Sequence, residues 1–256
     1  MAIKATLISL LSKLPRRMFW TIMAIYRPPR FWGDDIAVWK RTLPHDADPA
    51  FAAAFEQSIA FAPENYKAFD LRWRAHTACW AASAALTLEG DFVECGVNTG
   101  VLAGAICRYL DFNQTGRNFW LFDTYDGIPL LLATAKETAK FTSGKPAYQN
   151  VWDVAKANFS GFPKTHMVKG MVPDSLHTVN IGKVSFLSID MNLAAPEKAA
   201  LEYFWPKLVP GAIVVLDDYG FLGHEEQRTM ADEFAAARGT KILSLPTGQG
   251  LLLKPV

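Results

Sequence analysis

From Gly90 onward, short β-rich runs alternate with longer helical segments, and no other feature limits the possible folds of this chain more. The β-rich runs cover residues 91–95, 118–122, 166–169, 183–189, 212–216, 241–245 and 251–254, and helices are predicted over residues 100–110, 148–159, 196–207 and 225–238. Strands separated by helices of this length are joined by right-handed crossovers, which build a mostly parallel sheet covered on both faces. Only residues 246–250 separate the last two runs, so these predict a hairpin with one antiparallel strand. We therefore expect an α/β fold with a doubly wound, mostly parallel seven-stranded sheet.

The composition is that of a globular protein in a reducing compartment. Half of the 256 residues are hydrophobic, which is enough to bury a sizeable core and excludes a disordered chain. Lys and Arg number 26 and Asp and Glu number 25, so the formal charge of +1 provides no field for nucleic-acid binding. The three cysteines include no Cys-x-x-Cys pair, which argues against a disulfide framework or a structural zinc site. We expect a cytoplasmic protein that does not bind nucleic acid.

Positive charge is concentrated at the N-terminus. Residues 1–33 contain six basic residues and no acidic one, whereas the remainder carries 20 basic and 25 acidic residues. Apolar residues recur at helical spacing between Ile3 and Leu14, and a second apolar run spans residues 18–26. Neither run approaches the roughly 20 apolar residues that span a bilayer. Two interpretations remain: the segment packs on the domain or on a second subunit of a homo-oligomer, or residues 1–33 lie on an anionic membrane surface.

A change in residue composition predicts where this N-terminal part ends. Residues 30–49 are rich in turn formers, and a helix is predicted over residues 63–88, with large apolar anchors at Phe69, Trp73 and Trp80. We therefore divide the chain into a basic amphipathic N-terminal extension, residues 1–62, and an α/β domain, residues 63–256.

The first strand of the sheet ends in a glycine turn that predicts a ligand site. Gly96 and Gly100 flank this turn, so backbone and ligand can approach closely there, and the amides of the following helix favour an anionic group. Asn98 stands where a dinucleotide fingerprint has its middle glycine, which makes backbone access for a pyrophosphate poorer. Asp123 ends the second strand, where its carboxylate can accept hydrogen bonds from both hydroxyls of a ribose. Glu94 adds a negative charge, which suits a cationic ligand better than a phosphate-bearing one.

S-adenosylmethionine is a ligand of this kind, because it is an adenosine with a sulfonium and an ammonium group but no phosphate. We expect it to contact eight residues around the turn and the ends of the next two strands: Glu94, Gly96, Asn98, Thr99, Gly100, Asp123, Thr124 and Gly170. The alternative is that the glycines serve only the packing of strand against helix.

Acidic side chains also end the fourth and fifth strands. Asp190 follows the fourth strand, and Asp217 and Asp218 follow the fifth. Adjacent parallel strands bring these carboxylates to one edge of the sheet, where they repel each other unless a cation lies among them. A hard divalent cation such as Mg²⁺ prefers oxygen ligands of this type. The alternative is that Asp217 and Asp218 cap the following turn and face solvent.

Four stretches of the sequence resemble the macrocin O-methyltransferase family. They are residues 90–96 (Gly-Asp-Phe-Val-Glu-Cys-Gly), 121–129 (Leu-Phe-Asp-Thr-Tyr-Asp-Gly-Ile-Pro), 211–219 (Gly-Ala-Ile-Val-Val-Leu-Asp-Asp-Tyr) and 247–249 (Thr-Gly-Gln), and the resemblance spans roughly residues 66–255. Members of this family are class I S-adenosylmethionine-dependent enzymes with a Rossmann-like sheet, which methylate sugar hydroxyls of natural products with Mg²⁺. The resemblance implies the same activity here, with Glu94, Gly96, Gly100 and Asp123 at the cofactor, Asp190, Asp217 and Asp218 at the metal, and Gln249 near the acceptor.

Two positions depart from the family pattern. After its fourth strand the family reads Asp-x-Asp-x-Tyr, whereas this chain has Asp190-Met-Asn192-Leu-Ala194. Asn192 still offers one oxygen, so we expect weakened metal binding. The acceptor pocket also lacks the family's tyrosine, since Ala194 stands there.

The expected reaction is an in-line transfer of a methyl group to an acceptor hydroxyl. A metal on Asp190, Asp217 and Asp218 would orient two neighbouring hydroxyls and lower the pKa of one. His224 is the candidate base for the hydroxyl proton, because an unperturbed imidazole titrates near neutrality. The alternative for His224 is a surface position before a helix. The loop over residues 125–146 contains exposed apolar residues and predicts a lid.

Two other functions remain open at this point. A nicotinamide-dependent oxidoreductase needs a phosphate-binding glycine loop, against which Asn98 and Glu94 argue. An inactive cofactor-binding module, recruited to membranes or partners through residues 1–33, is compatible with Asn192 and Ala194. The leading hypothesis is an S-adenosylmethionine-dependent O-methyltransferase that acts on a sugar-like small molecule.

Overall fold

The computed structural model describes residues 13–67, 69–142 and 148–256. The helices are α1 (Arg16–Tyr26), α2 (Pro44–Ala47), α3 (Pro49–Ile59), α4 (Glu64–Lys67), α5 (Arg72–Ala85), α6 (Val101–Tyr109), α7 (Ala135–Thr142), α8 (Trp152–Phe159), α9 (Ala194–Phe204) and α10 (Glu225–Ala236). The strands are β1 (Phe31–Gly33), β2 (Ile36–Val38), β3 (Asp91–Cys95), β4 (Phe119–Asp123), β5 (Thr165–Lys169), β6 (Val184–Ile189), β7 (Leu208–Leu216), β8 (Ile242–Ser244) and β9 (Gly250–Leu253).

Seven of these strands form the expected sheet. Their order is β5-β4-β3-β6-β7-β9-β8, and the pairs β5–β4, β4–β3, β3–β6 and β6–β7 are parallel. The chain order reverses between β3 and β6, which places a topological switch point at the centre of the sheet. Strand β9 runs antiparallel to both β7 and β8, so the predicted C-terminal hairpin is confirmed. The doubly wound, mostly parallel architecture is confirmed with it.

Alternate residues of the central strands pack into two separate cores. Phe92 and Phe186 face a layer that contains α3, α5, α6 and α8, whereas their neighbours Val93 and Leu187 face α9 and α10. All six residues of β6 are buried, as expected for a strand covered on both faces. The carboxyl ends of β3, β4, β6 and β7 therefore meet at one edge of a rigid layer.

The segment before residue 62 contributes to this core. In α3, Phe51 and Phe55 are buried with residues of α5 and α6. The Ser58 hydroxyl donates a 2.7 Å hydrogen bond to the Val101 carbonyl, and a Cβ at Gly104 would collide with the same hydroxyl. The boundary predicted at residue 62 thus falls between α3 and α4, although α3 packs closely on α6.

The structure differs from the sequence predictions in three segments. The helix expected over residues 63–88 is two helices, because Asp70 adopts φ 54° between α4 and α5 and its carboxylate accepts two hydrogen bonds from Arg72. Helix α3 was not predicted at all. Within the predicted lid, residues 135–142 form α7 and not a loop, and its first turn is closed by Thr134 and Glu137, which bond reciprocally to each other's backbone amides.

The basic N-terminal segment is described only in part. The predicted amphipathic stretch from Ile3 to Leu14 lies almost entirely in residues 1–12, outside the described residues. The second apolar run forms α1, on which Met18 and Ile25 are exposed. No helix in residues 13–67, 69–142 or 148–256 has the length and apolarity needed to cross a membrane.

Replacing Phe51 by Ala should destabilise the whole protein, because this fully buried side chain joins α3 to the core. Such a truncation costs about 3–5 kcal/mol, and the same change at Phe69, which is 52% exposed, should cost less than about 1 kcal/mol. Urea denaturation of both variants measures the free energies. Equal small losses would show that α3 is an appendage and not part of the folding unit.

Candidate functional site

A cleft opens at the carboxyl ends of β3, β4 and β6, beside the switch point of the sheet. About 970 Å³ of space between atoms lies within it, and part of that space is open to solvent. Nine residues predicted from the sequence line it: Glu94, Gly96, Asn98, Thr99, Asp123, Thr124, Gly170, Asp190 and Asp217. Gly100, Asp218, His224 and Gln249 are not among its lining residues.

The glycine turn is shaped by close backbone contacts. A Cβ at Gly96 would overlap the carbonyl oxygen of Asp190, so only glycine lets β3 approach β6 at this point. A Cβ at Gly100 would collide with the ring of Phe159 on α8. Asn98 adopts φ 53°, a conformation that asparagine tolerates. Both glycines therefore allow close packing, and Gly96 also lines the cleft.

Asp123 holds the glycine turn in place. Its Oδ2 accepts hydrogen bonds from the backbone amides of Val97 at 2.6 Å and Asn98 at 2.7 Å. Its Oδ1 accepts a third bond from the amide of Tyr125 at 2.6 Å. The carboxylate thus fixes the turn directly, and any ribose contact adds to this role.

Glu94 lies at the base of the cleft with its side chain almost completely buried. Its Oε2 has no hydrogen-bond partner among the described residues. Burial raises the pKa of Glu94 well above its usual value, and the nearby Asp217 and Asp123 raise it further. A cationic ligand group in the cleft would stabilise the ionised form. Without such a ligand, burial shifts the equilibrium toward the neutral acid.

Asp190, Asp217 and Asp218 come together as the sequence predicted. Each offers an oxygen within 4.8 Å of the others. Burial raises the pKa of Asp190 well above its usual range, with further contributions from Asp217 and Asp218, and burial beside Asp217 raises that of Asp218 to about 7. Oδ2 of Asp218 is buried without a hydrogen-bond partner. Three convergent carboxylates and an orphaned oxygen fit a divalent cation with oxygen ligands.

Arg74 of α5 is a cleft residue that the sequence analysis missed. Its Nη1 donates a 2.7 Å hydrogen bond to Oδ2 of Asp217, and its Nε and Nη2 donate to the two oxygens of Asp34 at 2.8 and 3.0 Å. Burial lowers the pKa of this guanidinium, but Asp217 and Asp34 outweigh that effect and raise it. No sequence signal marked Arg74, because Asp34 and Asp217 lie 40 and 143 positions away.

Gln249 lies next to the acid cluster but does not line the cleft. Its side chain is fully buried, and Nε2 donates a 2.9 Å hydrogen bond to Oδ1 of Asp217. Gln249 thus fixes the position of Asp217 through this hydrogen bond. Together with Arg74, it gives both oxygens of Asp217 a partner.

His224 is buried beside the acid cluster. Its Nδ1 lies 2.9 Å from Nε2 of Gln227 and 3.5 Å from Oδ2 of Asp218, and its Nε2 contacts Nζ of Lys140. Burial lowers the pKa of His224 to about 4, and the charge on Lys140 contributes to the decrease. Both ring nitrogens are therefore engaged, and the imidazole faces Asp218 rather than the cleft. The surface position considered as an alternative is not observed.

Two tyrosines missed by the sequence analysis line the cleft together with Asp190. The rings of Tyr66 and Tyr148 lie 6.1 Å apart, and their hydroxyls are hydrogen-bonded. Burial raises the pKa of both hydroxyls. They supply aromatic surface at a cleft where the family's tyrosine is replaced by Ala194. Neither belongs to a recognisable motif, since Tyr66 is in α4 and Tyr148 is in a turn.

The departures at Asn192 and Ala194 have local structural roles. Asn192 adopts φ 63° and its Nδ2 lies 3.4 Å from Oδ1 of Asp190. The backbone amide of Ala194, at the start of α9, donates a 2.8 Å hydrogen bond to Oε1 of Glu137. Through Glu137, helix α7 is held against the start of α9.

Solved structures of methyltransferases share this fold. The O-methyltransferase NovP superimposes with a TM-score of 0.62 at 21% identity, over 72% of this chain and 80% of that chain. The S-adenosylhomocysteine-bound Podospora anserina methyltransferase PaMTH1 superimposes with a TM-score of 0.57 at 11% identity, over 95% of this chain and 98% of that chain. These similarities establish the fold.

The family follows from the sequence. Residues 70–243 match the macrocin O-methyltransferase (TylF) family, and the chain belongs to this family. An 8-demethyl-8-(2,3-dimethoxy-α-L-rhamnosyl)-tetracenomycin-C 4′-O-methyltransferase of Streptomyces olivaceus is 25% identical over 185 residues, 68% of each protein. The protein is an S-adenosylmethionine-dependent O-methyltransferase, and the family resemblance found in the sequence is confirmed.

Replacing Glu94 by Gln should change how stability depends on pH. Because the folded protein holds a proton on Glu94 above the ordinary glutamate pKa, the wild-type free energy of unfolding falls as pH rises above about 4.5, by up to about 1.4 kcal/mol per pH unit for this group. Glu94→Gln removes that fall, so its advantage over the wild type grows with pH. Urea denaturation of both proteins without ligand, between pH 5 and pH 8, measures this difference in the free energy of unfolding.

The exposed Glu233 provides the matched control, since Glu233→Gln removes the same charge at the surface. Its stability curve should run parallel to the wild-type curve. If Glu94→Gln also ran parallel, Glu94 would be ionised in the free protein.

Proposed function

We propose that this protein transfers the methyl group of S-adenosylmethionine to a hydroxyl of a sugar or glycosylated natural product, with Mg²⁺ at the acid cluster. The observation that carries the proposal is a single cleft that joins the unpartnered Glu94 carboxyl and the Asp123-held glycine turn to Asp190 and Asp217. A cationic nucleoside and a hydroxyl acceptor fit the two ends of this cleft.

The cofactor end favours a nucleoside without phosphates. Phosphate groups would face the carboxyl groups of Glu94 and Asp123, which repel them when ionised. The sulfonium and ammonium of S-adenosylmethionine would instead stabilise those carboxylates. The backbone amides of Val97 and Asn98 already bind Asp123, so they are not free to hold a pyrophosphate. This arrangement argues against a nicotinamide dinucleotide.

The acceptor end favours a sugar-like molecule. The Streptomyces relative is named for methylation of a rhamnosyl group, and CalS11, a solved structure with a TM-score of 0.51, is described as a TDP-rhamnose 3′-O-methyltransferase. In this chain, Tyr66 and Tyr148 offer flat apolar faces with hydroxyl groups beside Asp190. Such surfaces suit a pyranose ring, which has both apolar faces and hydroxyl edges.

Asp190, Asp217 and Asp218 have distinct roles in the proposed reaction. Asp190, Asp217 and Asp218 would hold the metal, which as a bound Lewis acid lowers the pKa of a coordinated hydroxyl. Arg74 and Gln249 orient Asp217. Asp190 lines the cleft and forms no ion pair with a described side chain, so we assign its oxygen that is not at the metal to receive the hydroxyl proton as the carbon–sulfur bond breaks and the carbon–oxygen bond forms. His224, the base predicted from the sequence, has both ring nitrogens engaged.

The N-terminal segment remains the subject of two predictions. The basic residues and the exposed Met18 and Ile25 support peripheral contact with an anionic membrane through residues 1–33. Packing on a second subunit is the alternative, and we retain the prediction of a homo-oligomer. Sedimentation with anionic liposomes, compared before and after deletion of residues 1–29, distinguishes the two while leaving β1 intact.

S-adenosylhomocysteine should bind the purified protein in calorimetry, and NAD should not. Gly96→Ala should abolish binding, because its Cβ overlaps the Asp190 carbonyl. Gly182→Ala is the matched control, since a Cβ there meets no atom within 4 Å. Binding of NAD in preference to S-adenosylhomocysteine would overturn the proposed function.

Methyl transfer to a panel of rhamnosides and related glycosides should require a divalent cation. EDTA should abolish turnover and added Mg²⁺ should restore it, because the three buried carboxylates repel one another without a cation. Full turnover in EDTA would exclude the metal. Cofactor binding without turnover on any glycoside would favour the inactive module to which Asn192 and Ala194 pointed.

A further inference from the structure

A turn in the N-terminal segment, outside the family match, supplies a carboxylate to the site. Strands β1 and β2 pair with Gly33 opposite Ile36, so Asp34 and Asp35 form a two-residue hairpin turn. Both have positive φ, 49° and 57°, as a type I′ turn requires. The Asp34 side chain is only 5% exposed, whereas Asp35 is exposed. The turn therefore presents one acid to the protein and one to solvent.

The hairpin is fixed in position by packing on α5. Phe31 is buried and meets the ring of Trp73 edge-on at 6.3 Å. A Cβ at Gly33 would overlap the Asp70 side chain, which is itself bound to Arg72. The position of Asp34 is thus determined by the core, and a bidentate carboxylate–guanidinium pair with Arg74 follows from it.

The ion pair between Asp34 and Arg74 affects the charge of the acid cluster. Arg74 donates to Asp217, one of the three carboxylates that would hold the divalent cation, so its positive charge lies next to that cation. Unneutralised, the guanidinium would repel the metal and offset one of the three negative charges. Asp34 binds the opposite edge of the guanidinium and cancels that charge, so that the cluster keeps its full attraction for a cation.

We propose that Asp34 is a positioning residue that neutralises Arg74 and thereby sets the divalent-cation affinity of the acid cluster. The inference rests on the proposed function, because it assumes a metal on Asp190, Asp217 and Asp218. It makes the N-terminal hairpin part of the functional site, although the family match begins only at residue 70.

The test compares Asp34→Asn with Asp35→Asn in the full chain. Asparagine tolerates positive φ as aspartate does, so both variants keep the turn and lose one charge at adjacent positions. Titration of Mn²⁺ by electron paramagnetic resonance, with S-adenosylhomocysteine bound, measures the affinity without any turnover. We expect Asp34→Asn to weaken Mn²⁺ binding by about tenfold or more, as loss of one neutralising charge near a divalent ion implies, and Asp35→Asn to leave it nearly unchanged.

Arg74→Gln separates neutralisation from simple structural damage. Removing the cation should tighten Mn²⁺ binding, opposite in direction to Asp34→Asn, and the double variant should return toward the wild-type affinity. Damage to the site would weaken binding in all three variants. This comparison also serves if Asp34→Asn fails to fold.

The outcomes separate this inference from the proposed function. Equal Mn²⁺ affinities of Asp34→Asn and Asp35→Asn would overturn it, as would weaker binding by Arg74→Gln. Failure of the wild type to bind Mn²⁺ while it still binds S-adenosylhomocysteine would overturn it and leave the methyltransferase assignment standing. Failure to bind S-adenosylhomocysteine would contradict the proposed function itself.

Discussion

Asp217 is the residue on which the electrostatics of the whole site depend. It lies at the end of β7 with almost no exposed surface, and each of its oxygens accepts a hydrogen bond, one from Arg74 and one from Gln249. Through these two partners, the central sheet is connected to α5 and to the loop before β9. A buried carboxylate is tolerated only when it is paired in this way, so the surrounding elements must keep their positions for the chain to fold.

A second constraint acts on the opposite side of the cleft, where β3 lies against β6. Gly96 packs on the Asp190 carbonyl, and Asp123 binds the amides of the same turn. The glycine turn is therefore rigid before any ligand arrives, which reduces the entropy lost on binding. The cofactor end and the acid cluster share this contact. A shift of β3 relative to β6 would consequently disturb both ends of the cleft together.

The sequence was sufficient for the parallel sheet and for the acidic residues that strand ends bring to the cleft. Glu94 lies at the end of a β-rich run, Asp123, Asp190 and Asp217 follow such runs, and parallel strands bring their carboxyl ends to one edge. Arg74, Asp34 and the two tyrosines escaped prediction because helix packing and a distant hairpin bring them in, and no local periodicity encodes such contacts. Helix α3 was missed because its Ala-rich sequence offers a weak polar face, although Asp48 and Pro49 form an ordinary helix start.

Glu137 links two helices beside the acid cluster, because its carboxylate bonds to backbone amides at the start of both α7 and α9. The same carboxylate that closes the first turn of α7 also accepts the leading amide of α9, next to Asn192. Moving α7 away from α9 would break this hydrogen bond to the first amide of α9, a loss of about 1 kcal/mol. Glu137 thus couples the docking of α7 to the stability of the N-terminus of α9, beside the acid cluster.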